Sequence, residues 1–175
     1  MGGRLAHAPA KVENPLSSCV KVFFLRHGKA EWPGWSKPDN ERPLTKEGEK
    51  EVGAVAKFLS RLEIAPLIVS SPLPRARQTA TITAEILGTE MRVAEELMPG
   101  FDSSKLAKLV EDFAGYSLML VGHEPDFSRT IAQLTGGSVK MAQAGVALVE
   151  LDSAGMTGKL LWLLPPKIAL LQFSS

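Results

Sequence analysis

The stretch Val20-Lys21-Val22-Phe23-Phe24-Leu25-Arg26-His27-Gly28 decides how the rest of the chain is read. A β-branched and aromatic run that stops at Arg-His-Gly predicts a buried strand, delivering a cation and an imidazole to its carboxyl end, followed by a residue that lets the backbone turn tightly. In open α/β sheets, that end of a strand is where ligands bind. The pair suits a phosphoryl group: the planar fork of Arg26 can hold two phosphate oxygens, and His27 offers a neutral ring nitrogen as a nucleophile near neutral pH. Taken alone, the same residues also fit a structural ion pair for Arg26 and a hydrogen-bonded core position for His27.

Composition bounds the answer. With 175 residues, 45% hydrophobic and 22% charged, the chain reads as one globular domain and not as a disordered polymer. Its 20 Lys and Arg against 19 Asp and Glu leave a formal net charge of +1, so no nucleic-acid or anionic-membrane partner is implied and any cationic function must be local. The single Cys19 cannot form an intrachain disulfide, and no Cys cluster is present to hold zinc, which fits a reducing compartment. No apolar segment is long enough to span a bilayer, and residues 1–18 lack the apolar centre of a secretory signal, so the expected location is cytoplasmic. Residues 1–18, with Gly2, Gly3, Pro9 and Pro15, read as a flexible tail that holds His7, leaving residues 19–175 as the domain.

Beyond the first strand, Lys29 to Pro43 form a loop containing Trp32, Pro33, Gly34, Trp35 and Pro38. The two tryptophans serve either as a wall for a substrate or as a cap on the sheet edge. Thr45 is expected to cap a helix whose apolar face is Val52, Val55, Ala56, Leu59 and Leu62. A second strand, Leu67-Ile68-Val69-Ser70, leads to Ser71 as the cap of the next helix, with Pro72 at its first position. Arg75 then shares a face with Thr79 and Ile82, while Arg77 lies roughly 200 degrees around the helix, which assigns Arg75 to the pocket and Arg77 to the surface. Met91-Arg92-Val93 reads as a short strand, and Asp102 or Ser103 opens a third helix over Leu106, Leu109, Val110 and Phe113. Ser117-Leu118-Met119-Leu120-Val121 then repeats the design of the first strand, ending in Gly122-His123-Glu124-Pro125 before another helix to Leu134. Of three histidines in the chain, the two outside the tail both end predicted central strands. A hairpin of Val146–Leu151 and Leu160–Leu164, stopped by Pro165-Pro166, completes the pattern. The expected fold is a three-layer α/β/α sandwich around a mixed, mainly parallel central sheet.

In their order, Leu25-Arg26-His27-Gly28-Lys29-Ala30, Arg42-Pro43-Leu44-Thr45 with Gly48, Ser71-Pro72 through Arg75-Ala76-Arg77-Gln78-Thr79, and Val121-Gly122-His123-Glu124-Pro125 resemble the histidine phosphatase superfamily, with its phosphoglycerate mutase-like fold. More narrowly they resemble its small SixA-type phosphohistidine phosphatases. The resemblance implies His27 as nucleophile and Arg26, Arg75 and His123 as the phosphate pocket, with no metal or other cofactor, the arginines supplying the positive charge. The general acid implied by larger members falls at Glu95 or Glu96, and Glu96 fits the Glu-Leu-x-Pro pattern better. An alkoxide needs such an acid, whereas the imidazole of a phosphohistidine leaves neutral once its ring is protonated. The expected activity is therefore that of a metal-independent phosphatase with a phosphohistidine enzyme intermediate, acting on phosphohistidine in proteins. The alternatives are a phosphomonoesterase or mutase of small phosphate esters, and a non-catalytic module that binds phosphorylated ligands. Lys29 and Ala30 depart from the acidic form of the first motif, which bears on loop contacts with substrate and not on the phosphate pocket.

Overall fold

The computed structural model describes residues 19–32, 34–152 and 157–172; the tail with His7, Pro33 and most of the hairpin turn lie outside them. Strands β1 (Val20–Arg26), β2 (Leu67–Ser70), β3 (Met91–Val93), β4 (Leu118–Gly122), β5 (Val146–Leu151) and β6 (Gly158–Leu164) form one sheet in the order β3-β2-β4-β1-β5-β6. β1, β4, β2 and β3 are parallel neighbours, and β5 runs against both β1 and β6. The helices are α1 (Lys46–Ser60), α2 (Pro74–Leu87), α3 (Ser103–Asp112), α4 (Asp126–Thr135) and α5 (Pro166–Leu171).

The period-2 alternation of strand side chains builds the layers. Val22 and Phe24 of β1, with Val69 and Leu120, pack against Leu106 and Leu109 of α3 and Phe127 and Ile131 of α4. Phe23 and Leu25, with Ile68, Met119 and Val121, face Val55 and Leu59 of α1, Ala76 and Ala80 of α2, and Ala169 of α5. The result is the three-layer α/β/α sandwich. From β1 the chain crosses to β2 and β3, whereas from β4 it crosses to β5 on the other side. The carboxyl ends of the adjacent β1 and β4 therefore flank the point where the winding reverses, where open α/β sheets bind their ligands.

Three local expectations change. α2 starts at Pro74, not Pro72: the residue before a proline is pushed out of the helical region, so Leu73 is extended, with ψ 138°, and serves as a cap without a side-chain bond. Leu62 lies beyond the end of α1 and is 52% exposed, so it does not belong to that helix's buried face. The Pro165-Pro166 pair ends β6 and also begins α5, because a proline at the first helical position gives up no hydrogen bond. Among the described residues, no helix is long and apolar enough to cross a membrane.

Glycine is required at two places by close approach. A Cβ on Gly28 would stand 2.7 Å from Val52 Cγ2, and one on Gly48 would collide with the Lys29 carbonyl. The first turn of α1 is thus seated directly on the loop that follows His27. Gly48→Ala is expected to destabilise the protein by about 1–3 kcal/mol through overpacking. Gly53→Ala, in the same helix, would place its Cβ no closer than 4.0 Å to Ile86 Cδ1. It should stabilise by about 0.5–1 kcal/mol, as removal of a mid-helix glycine does, and thermal or urea unfolding would read both signs.

Candidate active site

In the register of β1 and β4, Arg26 stands opposite Gly122. The His27 amide donates to the Gly122 carbonyl at 3.1 Å, and the next residue on each chain is a histidine. The rings of His27 and His123 consequently lie side by side, with centroids 5.2 Å apart. Both are buried, at 7% and 5% exposure.

Nδ1 of His27 is 2.8 Å from the Gly28 carbonyl oxygen. A carbonyl only accepts, so the proton sits on Nδ1 and the lone pair on Nε2. Burial, opposed by the Gly28 hydrogen bond and reinforced by the nearby His123, Arg75 and Arg26, lowers the His27 pKa to about 3. His27 is therefore an uncharged ring with an available lone pair at neutral pH. On His123, Nε2 meets the Ser71 hydroxyl at 2.8 Å and Nδ1 is buried without a partner. Burial first, then Arg75 and Arg26, lowers its pKa to about 4, against the opposing charge of Asp39. His123 is neutral too, and a neutral ring can donate one hydrogen bond without carrying a charge of its own.

Each of the two guanidiniums is anchored by a backbone carbonyl. Arg26 Nη1 donates to the Met141 carbonyl at 2.8 Å, and Arg75 Nη1 donates to the Asp39 carbonyl at 2.9 Å. The Nε of each is buried and unpartnered. Burial lowers both guanidinium pKa values, opposed by the nearby carboxylates of Glu124 and Asp39 respectively; both remain charged. A buried donor without a partner costs about 1–3 kcal/mol. Three such donors or acceptors, the two Nε groups and Nδ1 of His123, belong to residues gathered around one imidazole, an arrangement suited to the oxygens of a tetrahedral anion. Thr79 ties the parts together, accepting from the Gly28 amide at 3.1 Å and donating to the Arg75 carbonyl at 2.8 Å. Arg77 is exposed, as its helical phase predicted.

Glu96 is placed differently from the expectation of a proton donor. It lies in a short 3-10 helix, Glu95–Leu97, and its carboxylate is ion-paired with Lys108 of α3, which holds its pKa below the usual carboxylate range. A carboxyl held ionised is a poor acid. Glu95 is exposed on the same turn. The titratable groups that act on His27 are His123, Arg75 and Arg26. Among the described residues no cluster of three His, Cys, Asp or Glu gathers as metal ligands do. Trp32 is 68% exposed with the Arg42 guanidinium 5.5 Å from its ring centre, so it is not packed as a cap on the sheet; Trp35, half-buried, donates from Nε1 to the Pro38 carbonyl.

Ser71, Asp39 and Glu124 were not singled out for the site from sequence. Ser71 was expected to cap α2 and instead orients His123. Asp39 carries a signal visible afterwards, an acidic residue three before Arg42 in the loop beside the site, pairing with it at 2.9 Å. Glu124, next to His123, lies close enough to act on Arg26 and has one buried carboxylate oxygen without a partner.

Proton-resolved NMR of the imidazoles should find His27 and His123 uncharged from pH 8 down to about pH 5, with titration only near the values of about 3 and 4. Inorganic phosphate should raise both, since a bound anion favours the protonated ring.

The sequence model of the histidine phosphatase superfamily (branch 1) matches residues 22–99. An uncharacterized protein of a Picosynechococcus strain is 36% identical over 136 residues, which cover 73% of this chain and 82% of that protein. A probable phosphoglycerate mutase, GpmB of Klebsiella pneumoniae, is 30% identical over 113 residues, 61% of this chain and 52% of that protein, so the chain spans about half the length of that relative. The solved structure of the protein histidine phosphatase SixA complexed with tungstate superposes with a TM-score of 0.76 at 28% identity, covering 85% of this chain and 99% of that one. With the paired strand ends, the buried histidines and these likenesses in agreement, the chain belongs to the histidine phosphatase superfamily and has a structure of the SixA type.

Proposed function

We propose that the chain is a metal-independent phosphatase that works through a phosphohistidine formed on His27 and takes protein-borne phosphohistidine as its substrate. The observation that carries this reading is the state of His27: buried, uncharged, with its proton on Nδ1 held by Gly28 and the lone pair on Nε2, under the influence of two charged guanidiniums. Nε2 attacks phosphorus in line, forming one P–N bond as the bond to the leaving group breaks. Arg26 and Arg75 follow the charge on the equatorial oxygens, and His123, oriented by Ser71, donates one more hydrogen bond. The phosphorylated ring of His27 still carries its Nδ1 proton and is itself a good leaving group. Water attacks phosphorus, the electron pair returns to Nε2, and the water gives up a proton as phosphate departs.

Substrate preference follows from proton supply. With Glu96 ion-paired to Lys108, the expected acid is engaged elsewhere, and an alkoxide would have to leave without its help. A protonated phosphohistidine needs no such donor. The likeness to SixA supports this reading, and the likeness to a probable phosphoglycerate mutase favours, as the second reading, a small phosphate ester. The lone cysteine and the charge balance fit action in the cytoplasm.

Phosphate release without metal should be faster from a chemically phosphorylated histidine peptide than from a phosphoserine peptide, and His27→Ala should abolish it. Glu96→Gln should leave the phosphohistidine rate within about twofold, as loss of an ion pair outside the reaction does. Preference for the ester, or loss of phosphohistidine turnover in folded Glu96→Gln, would refute the substrate assignment. Tight phosphate binding without turnover of either substrate would make the chain a binding module.

A further inference from the structure

The connection between β1 and α1 brings into the site a carboxylate that belongs to none of the recognised motifs. Asp39 opens a short 3-10 helix, Asp39–Glu41. Its Oδ1 pairs with Arg42 Nη2 at 2.9 Å, its Oδ2 accepts from Arg75 Nη2 at 3.2 Å, and its carbonyl accepts from Arg75 Nη1 at 2.9 Å. Arg42 in turn lies against the Trp32 ring. The charged and titratable groups that face Asp39 are thus Arg42, Arg75 and His123, whose protonation it favours. So anchored, the side chain remains 62% exposed. His27, by contrast, is only 7% exposed.

In-line displacement fixes what meets it. The leaving group departs from the face of phosphorus opposite Nε2 of His27, away from that buried ring. We propose that Asp39 is a specificity-determining residue whose carboxylate accepts the N–H of the departing imidazole, selecting nitrogen over oxygen leaving groups. The proposal rests on the phosphohistidine reading above.

The step balances without an acid. The substrate ring enters with phosphoryl on one nitrogen and a proton on the other; P–N bond formation to His27 and P–N bond cleavage proceed together. The electron pair stays on the departing nitrogen, and the proton stays on its partner nitrogen, facing Asp39. The product is neutral imidazole. Gly28 does the same for His27, accepting its Nδ1 proton at 2.8 Å, so the phosphoryl group passes between two rings whose distal N–H groups each have an acceptor. An alkoxide offers no N–H and brings developing negative charge toward a carboxylate, so the group that assists P–N cleavage opposes P–O cleavage.

The test compares kcat/KM of wild type, Asp39→Asn and Asp39→Glu on a histidine peptide phosphorylated with phosphoramidate and on p-nitrophenyl phosphate. Because Asp39 also anchors Arg75, both values should fall in Asp39→Asn, and the ratio decides. The preference for phosphohistidine should drop about tenfold or more, the loss expected for a hydrogen bond to a charged group, with partial recovery in Asp39→Glu. The alkaline limb of the kcat profile on phosphohistidine should move to lower pH in Asp39→Asn, since the protonated substrate ring loses its carboxylate partner in the complex. An equal fall on both substrates would leave Asp39 as a positioning residue for Arg75 and overturn the proposal, as would an unchanged ratio. Wild type that cleaves p-nitrophenyl phosphate and not the phosphohistidine peptide would overturn the phosphohistidine reading itself, before any variant is made.

Discussion

Parallel pairing of β1 with β4, from Val22 opposite Leu118 to Arg26 opposite Gly122, sets the positions of Arg26, His27 and His123. The pairing is specified by burial on both faces. A slip of one residue would send Val22 and Phe24, now packed on α3 and α4, to the side of α1 and α2, and would reverse Phe23 and Leu25 as well. The two histidines meet because the hydrophobic patterns of two strands permit one register. Helix α1 is then held against the same strand end by contacts that exclude a side chain at Gly28 and Gly48.

That geometry has an electrostatic cost, and the site divides it unequally. Two guanidiniums cannot shed their charge, so the imidazoles do: burial and the neighbouring cations hold His27 at about 3 and His123 at about 4. The unfolded histidines, at about 6.5, bind protons that the folded ones refuse. Stability contributed by these residues is therefore lost as pH falls below about 6.5, progressively down to their folded values. The gain is kinetic. A ring that stays neutral keeps the lone pair that attacks in the proposed mechanism, and a bound anion would compensate the arginines that remain charged. Asp39 and Glu124 already offset part of this charge from opposite sides, one acting on Arg75 and one on Arg26.

Sequence made the scaffold legible wherever one element carried the whole signal. The strand runs ending at Arg26-His27 and Gly122-His123 declared their burial through composition, and helical phase separated the buried Arg75 from the exposed Arg77. Features that depend on partners distant in sequence did not read. Ser71 looked like a helix cap because Pro72 follows it; the second proline, Pro74, delays the helix, and the hydroxyl goes to His123, 52 residues away. Glu96 matched a pattern in its own segment, but its surroundings are set by Lys108 on α3. Asp39 sits in a loop without periodicity, and its tie to Arg75 spans 36 residues.

The division of labour between scaffold and loop bears on how one fold serves different chemistries. In the proposed mechanism Arg26, His27, Arg75 and His123 serve a phosphoryl group, which is the same whether nitrogen or oxygen holds it. They stand on or next to regular elements fixed by the core, and nothing in their arrangement distinguishes one leaving group from another. Discrimination would then have to come from groups that meet the leaving group, and the loop between β1 and α1 supplies a chain of contacts, Trp32, Arg42, Asp39 and Arg75, as the proposed source. That chain is anchored at one end on the buried Arg75 and open to solvent at the other, at Trp32. A change in the loop can therefore alter the choice of leaving group without rebuilding the nucleophile, and the same coupling means that selectivity and phosphate affinity are not independent.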